Sequence, residues 1–129
     1  MYELNKLQIK QLPEEPGVYI IYAKSLDGRT ISISRFCGVD RRGILYIGRT
    51  SKQNLKERVY QFYASSNLKM KTNNHSGGNK YFSNVIIRKT LGEHSLYFNF
   101  EITEVAEARE NELLSEYMTE FGEYPPLNK

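Results

Sequence analysis

The chain has 129 residues, 40% of them hydrophobic and 26% charged, and a formal net charge of +3 at pH 7. That is one domain's worth of chain with ordinary globular usage, which excludes disordered and fibrous classes. No apolar run approaches the roughly 20 residues of a membrane helix, Met1–Lys6 carries no secretory apolar core, and the lone Cys37 rules out a disulfide framework, so a cytoplasmic protein is expected.

Charge is unevenly placed. Residues 1–92 carry 16 basic and 6 acidic side chains, whereas residues 93–129 carry 2 and 9. Clustered Lys and Arg release counterions when they neutralise phosphates, so the asymmetry suits a polyanionic partner. An acidic C-terminal helix paired with the chain's own basic surface gives the same pattern.

Along the chain, residues 1–10 mix Leu4, Leu7 and Ile9 with polar groups, as in a lead-in segment or a strand. Two prolines make Leu12–Gly17 a turn. Val18–Ala23, β-branched and aromatic, reads as a strand, and Asp27-Gly28 as a hairpin turn. Arg29–Phe36 alternates, with Ile31 and Ile33 on one face, and Gly38–Gly43 reads as a second turn. The nearly all-apolar Ile44–Gly48 reads as a strand at a sheet centre. Leu55, Val59 and Phe62 recur at helical spacing over about 53–65. Residues 65–79 form a long polar loop whose Ser76-Gly77-Gly78 reads as a flexible connector. A second helix is expected over about 80–91, with Phe82, Val85, Ile86 and Lys89 in register and Gly92 as its stop; a strand follows over 96–105, then a third helix over 106–121 with Leu113, Leu114, Tyr117 and Phe121 on one face. Strands, helices, a strand and a helix make an α+β protein with a mainly antiparallel sheet.

Several motifs stand in order on this frame. Gly17-Val18-Tyr19 and Tyr46-Ile47-Gly48 lie on strands, followed by Arg49, by Leu55 and Arg58 on the first helix, and by His75 in the polar loop. Arg109-Glu110-Asn111-Glu112-Leu113-Leu114 sits on the last helix, and Pro125-Pro126-Leu127-Asn128 near the end. Singly, each has an ordinary reading: a strand tyrosine packs half-buried with its hydroxyl satisfied, and a helix arginine is solvated. As an ordered set over about residues 16–128 they resemble the GIY-YIG nuclease family.

The resemblance implies a single GIY-YIG-like domain over 1–129: three antiparallel core strands flanked by helices, with residues 24–45 as an enlarged hairpin insertion. It also implies hydrolysis of phosphodiester bonds in DNA with one Mg²⁺ or Mn²⁺ ion. Its site residues would be Tyr19, Tyr46, Arg58, His75 and Glu110, with Glu110 the metal ligand, a role that suits a hard cation keeping most of its waters. Tyr19, with Tyr46, would orient or deprotonate the attacking water, and Arg58 and Arg49 would bind the phosphate with planar forks. His75 would relay a proton or bind phosphate. Gly48 and Asn128 would support the backbone of the site. Glu110 is preferred over Glu107, Glu112 and Glu116 because the family's glutamate is followed by apolar residues three, four and seven positions on, here Leu113, Leu114 and Tyr117.

The chain departs from the family pattern at three points. Tyr19 and Tyr46 are 27 positions apart, two extra residues separate Gly48 from Arg58, and Phe62 stands where the family often has His or Tyr, with Tyr60 and Tyr63 as the nearby hydroxyls. His94 reads as solvated and Cys37 as an incidental thiol. Lys24, Arg29, Arg35, Arg41 and Arg42 on the insertion are either an extra DNA contact or an ordinary charged edge. With little chain beyond the module, specificity would come from the insertion, the polar loop, a homodimer or a separate targeting partner. Two other readings stand beside the nuclease: a catalytically silent nucleic-acid-binding module of the same fold, and an interaction protein whose acidic helix binds a basic partner.

Overall fold

A computed structural model describes residues 1–67 and 75–128, and residues 68–74 of the polar loop lie outside the described residues. In chain order the elements are β1 (Tyr2–Glu3), α1 (Lys6–Lys10), β2 (Gly17–Ser25), β3 (Ile33–Arg35), β4 (Gly38–Asp40) and β5 (Ile44–Arg49). They continue as α2 (Leu55–Ser66), α3 (Ser76–Ser83), α4 (Val85–Leu91), β6 (His94–Ile102) and α5 (Ala106–Phe121). The fold is α+β. Four strands form an antiparallel sheet in the order β1-β6-β2-β5, and β3 and β4 form a separate two-stranded sheet.

Alternation along β2 explains the layering. Tyr19, Ile21 and Ala23 point to one face, where they bury with Leu55, Val59 and Phe62 of α2 and Ile9 of α1. Ile20 and Tyr22 point to the other, against Tyr117 and Phe121 of α5. Both faces are thus covered by helices, which is why β2 and β5 read as apolar runs without a polar side.

The sequence expectations hold for β2, α2 and α5 and are corrected elsewhere. Residues 1–10 divide into a two-residue edge strand and α1, which is capped by Asn5 accepting from the Gln8 N–H. β1 makes a fourth strand beside the expected three. Ile44–Arg49 is at the sheet edge, not its centre. It reads as central because both its faces are covered, and the C-terminal segment caps its open edge: Leu127 N–H donates to Leu45 O. Asn128 completes the cover, its amide accepting from Ile47 N–H and donating to Ile47 O, both at 2.9 Å.

Within the insertion, β3 holds only three residues, and Gly38–Asp40 is a strand instead of a turn. The buried Asp40 carboxylate makes the difference. It accepts from the N–H groups of Arg42 and Ile44 and from the Tyr117 hydroxyl at 2.9 Å, fixing the chain reversal after β4. The expected helix over 80–91 is two, broken at Asn84, whose side chain caps α4 by accepting from Ile87 N–H. Val85 and Ile86 are exposed as a result, not in a core. Ser76-Gly77-Gly78 opens α3 and is not a connector. β6 starts at His94, whose Nδ1–H donates to Gly92 O and whose Nε2 meets Tyr81 Oη, each at 2.7 Å, so His94 is half-buried and partnered where solvation was expected. No helix among the described residues is long and apolar enough to cross a membrane.

Candidate active site

Tyr19 and Gly48 face each other in the β2–β5 register, and Tyr46 lies two residues back on β5, so both phenol rings stand on the α2 face of the sheet. Their rings are 6.1 Å apart. Gly48 makes this stacking sterically feasible: a Cβ there would come within 2.6 Å of the Tyr19 hydroxyl and of the Tyr46 ring. The close approach is therefore the physical reason for glycine at the end of the second signature.

α3 closes the group from above. His75 is the residue before its first turn, and its Nδ1 accepts from Gly78 N–H at 3.2 Å. Its Nε2 lies 2.7 Å from Tyr19 Oη. The imidazole is 0% exposed and packs edge-on against Tyr46 and Phe62, with ring centroids 5.1 and 5.0 Å away. Gly77 permits this, since a Cβ there would meet the Tyr46 ring at 2.8 Å. Phe62, at the position where the family pattern often has His or Tyr, thus packs against an imidazole that another helix delivers. Tyr60 and Tyr63 contact each other and do not line the cleft.

Burial governs the electrostatics. Tyr19 is fully buried, and its pKa is raised well above the ordinary tyrosine value by burial first and the neighbouring Tyr46 second, with Arg58 opposing. Tyr46 is raised less; burial again leads, while the Arg58 charge and hydrogen bonding with Tyr19 and Ser76 pull it down. His75 is pushed down to about 3 by burial and by Arg58, so it is neutral at any ordinary pH.

Beside this buried group opens a cleft of about 780 Å³ lined by Tyr46, Arg49, Arg58, Glu110, Lys52 and Gln61, with Ser51 and Gln53 at its edge. Arg58 donates to Gln61 at 2.6 Å, and Arg49 Nε lies 3.3 Å from Glu110 Oε1. Among the described residues, Glu110 is the one carboxylate lining the cleft, with the cations Arg49, Lys52 and Arg58 around it. No group of three or more His, Cys, Asp or Glu residues stands together among the described residues. A metal ion here would therefore take one carboxylate oxygen and complete its shell with water and substrate oxygens, which is how Mg²⁺ is commonly held. The donor set fits such an ion.

The predicted residues separate into two sets. Tyr46, Arg49, Arg58 and Glu110 reach the cleft. Tyr19 and His75 are fully buried behind it, which places His75 with the proton-relay role rather than at the cleft surface. Asn128 and Gly48 support β5 from its edge and its face. Arg49 is engaged with Glu110, a pairing that spacing did not reveal. The sequence reading also missed Lys52 and Gln61; their signal was position, one in the loop after the second signature and one a turn beyond Arg58.

Four of the insertion's cations meet partners within the chain, although the Arg29 and Arg42 side chains stay 85% and 56% exposed. Arg35 pairs with Glu123 at 2.7 Å and donates to Tyr124 O, Arg42 pairs with Glu120, Arg29 with Asp27, and Lys24 lies over the Tyr97 ring. These pairings support the charged-edge reading, and the exposed Arg29, Arg41 and Arg42 stay available to the DNA-contact one. Comparison with family models, curated proteins and solved structures returns no match.

Proposed function

We propose that the protein is a divalent-metal-dependent endonuclease of the GIY-YIG type that hydrolyses phosphodiester bonds in DNA. The observation that carries this reading is the cleft itself: among the described residues, Arg49, Lys52 and Arg58 around the single carboxylate of Glu110, with Tyr46 in the wall. Phosphodiester hydrolysis needs positive groups at the developing phosphorane charge, an oriented water and a charged oxygen ligand for a metal.

Arg58 clamps the scissile phosphate, its fork matching two phosphoryl oxygens, and Lys52 holds the adjacent backbone as a point charge. Tyr46 meets the substrate at the wall. Tyr19 supports it from behind. Glu110 would hold Mg²⁺ or Mn²⁺, which when bound supplies Lewis-acid stabilisation of phosphoryl charge. Arg49, paired with Glu110 at 3.3 Å, stands beside Arg58 to bind the phosphate.

The Arg49–Glu110 ion pair also favours a second reading, a silent nucleic-acid-binding module whose carboxylate is neutralised within the chain. Conversion of supercoiled plasmid to nicked or linear form with Mg²⁺ or Mn²⁺ separates the two. The endonuclease reading expects cutting by the native chain and by Glu116→Ala, and a loss of about 10³-fold in Glu110→Ala, the several kcal/mol a catalytic metal contributes. Plasmid binding without cutting under either metal would leave the silent module.

A further inference from the structure

The buried imidazole behind the cleft has a definite polarity. Gly78 N–H donates to His75 Nδ1, so that nitrogen carries no proton. A neutral imidazole keeps one proton, and it is then on Nε2, 2.7 Å from Tyr19 Oη. Tyr19 therefore accepts from His75, and its own hydroxyl proton must go elsewhere. The neighbour is the Tyr46 phenol on the same face of the sheet, its ring 6.1 Å from that of Tyr19 and its edge beside the Tyr19 hydroxyl, since both lie 2.6 Å from where a Gly48 Cβ would stand. Tyr46 lines the cleft, so a donation from Tyr19 behind it leaves the Tyr46 proton directed outward.

We propose that His75 is a positioning residue that sets the direction of a hydrogen-bond chain, His75 to Tyr19 to Tyr46, so that Tyr46 acts as a hydrogen-bond donor to an anionic phosphoryl oxygen in the cleft. The opposite tautomer would reverse every link. Tyr19 would donate to His75, Tyr46 to Tyr19, and the Tyr46 oxygen would face the cleft as an acceptor suited to a proton-taking role. Gly78 N–H decides between these two machines, and it does so from the first turn of α3, outside the cleft. The chain holds no proton transfer in its resting form; each link donates and keeps its proton. It favours negative charge at its outer end, as oxyanion-binding donors do. Burial of the ring and the aromatic contacts with Tyr46 and Phe62 hold the geometry without water to scramble it.

The inference deepens the endonuclease reading, since a phosphoryl oxygen is the anion it names, but its first test needs no cleavage. Side-chain ¹H–¹⁵N NMR of the intact, metal-free chain reports the histidine tautomer directly. A neutral Nε2–H imidazole for His75, unchanged between about pH 5 and pH 8, is the expected result, because an ordinary histidine would titrate near 6.5. An Nδ1–H tautomer, or titration in the ordinary range, would overturn the proposal whatever the protein cleaves. In plasmid cleavage, His75→Leu and Tyr19→Phe are expected to lower kcat about 10²-fold with KM little changed, the loss typical of one such donor. His75→Gln, whose amide N–H can stand where Nε2–H stands, should stay within about threefold of native, well short of that one-donor loss. Equal losses in folded His75→Gln and His75→Leu would overturn the positioning role. Should the native chain show the Nε2–H tautomer and never cut, the endonuclease reading fails alone and the chain's polarity stands.

Discussion

Two tyrosine hydroxyls are buried in polar clusters on opposite faces of the same sheet, and they end differently. On the α5 face, Tyr117 donates to Asp40, which also accepts two backbone N–H groups, so the cluster closes on itself. Burial and that donation push the Tyr117 pKa up, keeping the phenol neutral. On the α2 face, Tyr19 meets His75, and the chain runs outward through Tyr46 to a cleft of about 780 Å³. The first cluster satisfies its own members and fixes a chain reversal. The second delivers a directed hydroxyl to a place where a ligand fits. A buried tyrosine hydrogen bond is structural or functional according to where its last donor points.

Acid should attack the open cluster most strongly. His75 has a folded pKa of about 3 against 6.5 in the unfolded chain, so the unfolded state binds more protons between these values. Stability from this group is complete above about pH 6.5 and is lost as pH falls toward 3, at up to about 1.4 kcal/mol per pH unit. Thermal unfolding followed from pH 7 to pH 4 should show a falling midpoint, with a shallower slope in His75→Gln. An unchanged slope would mean that the imidazole is not held neutral.

The smallest expected effect concerns the cation resting on Glu110. Arg49→Ala should tighten Mn²⁺ binding to the free chain by about two- to fivefold, the worth of a half-exposed ion pair of about 0.5–1 kcal/mol. Calorimetry without nucleic acid would measure it. Weaker binding would show that Arg49 helps to organise the carboxylate and does not compete for it.

The difference between the clusters also explains what was legible in the sequence. β2, β5, α2 and α5 were readable because their apolar periodicity is continuous and both sheet faces are covered; α5 runs over Ala106–Phe121 as its spacing predicts. The cleft residues Tyr46, Arg58 and Glu110 followed from ordered motifs. Illegible were the features set by contacts between distant segments. Gly77 and Gly78 look like a connector by propensity, yet they open α3 because only glycine lets its first turn close on Tyr46 and α2. Gly38–Asp40 looks like a turn, but the Asp40 carboxylate meets Tyr117, 77 positions away, and β4 precedes the reversal it fixes. Arg49 on Glu110 is likewise a long-range pairing that local patterns do not carry, whereas the backbone support expected of Asn128 is seen at Ile47.

The most direct measurement compares Tyr46→Phe with Tyr117→Phe for cleavage rate and thermal stability side by side. Each change removes one hydroxyl. Tyr46→Phe should lower kcat about 10²-fold, the loss of one directed donor, and also cost about 1–3 kcal/mol of stability, because the buried Tyr19 hydroxyl loses its acceptor. Tyr117→Phe should leave cleavage near native and cost about 1–3 kcal/mol, roughly 3–10 °C, because the buried Asp40 loses a donor. Native-rate cleavage by Tyr46→Phe, or loss of cleavage without loss of stability in Tyr117→Phe, would contradict the account.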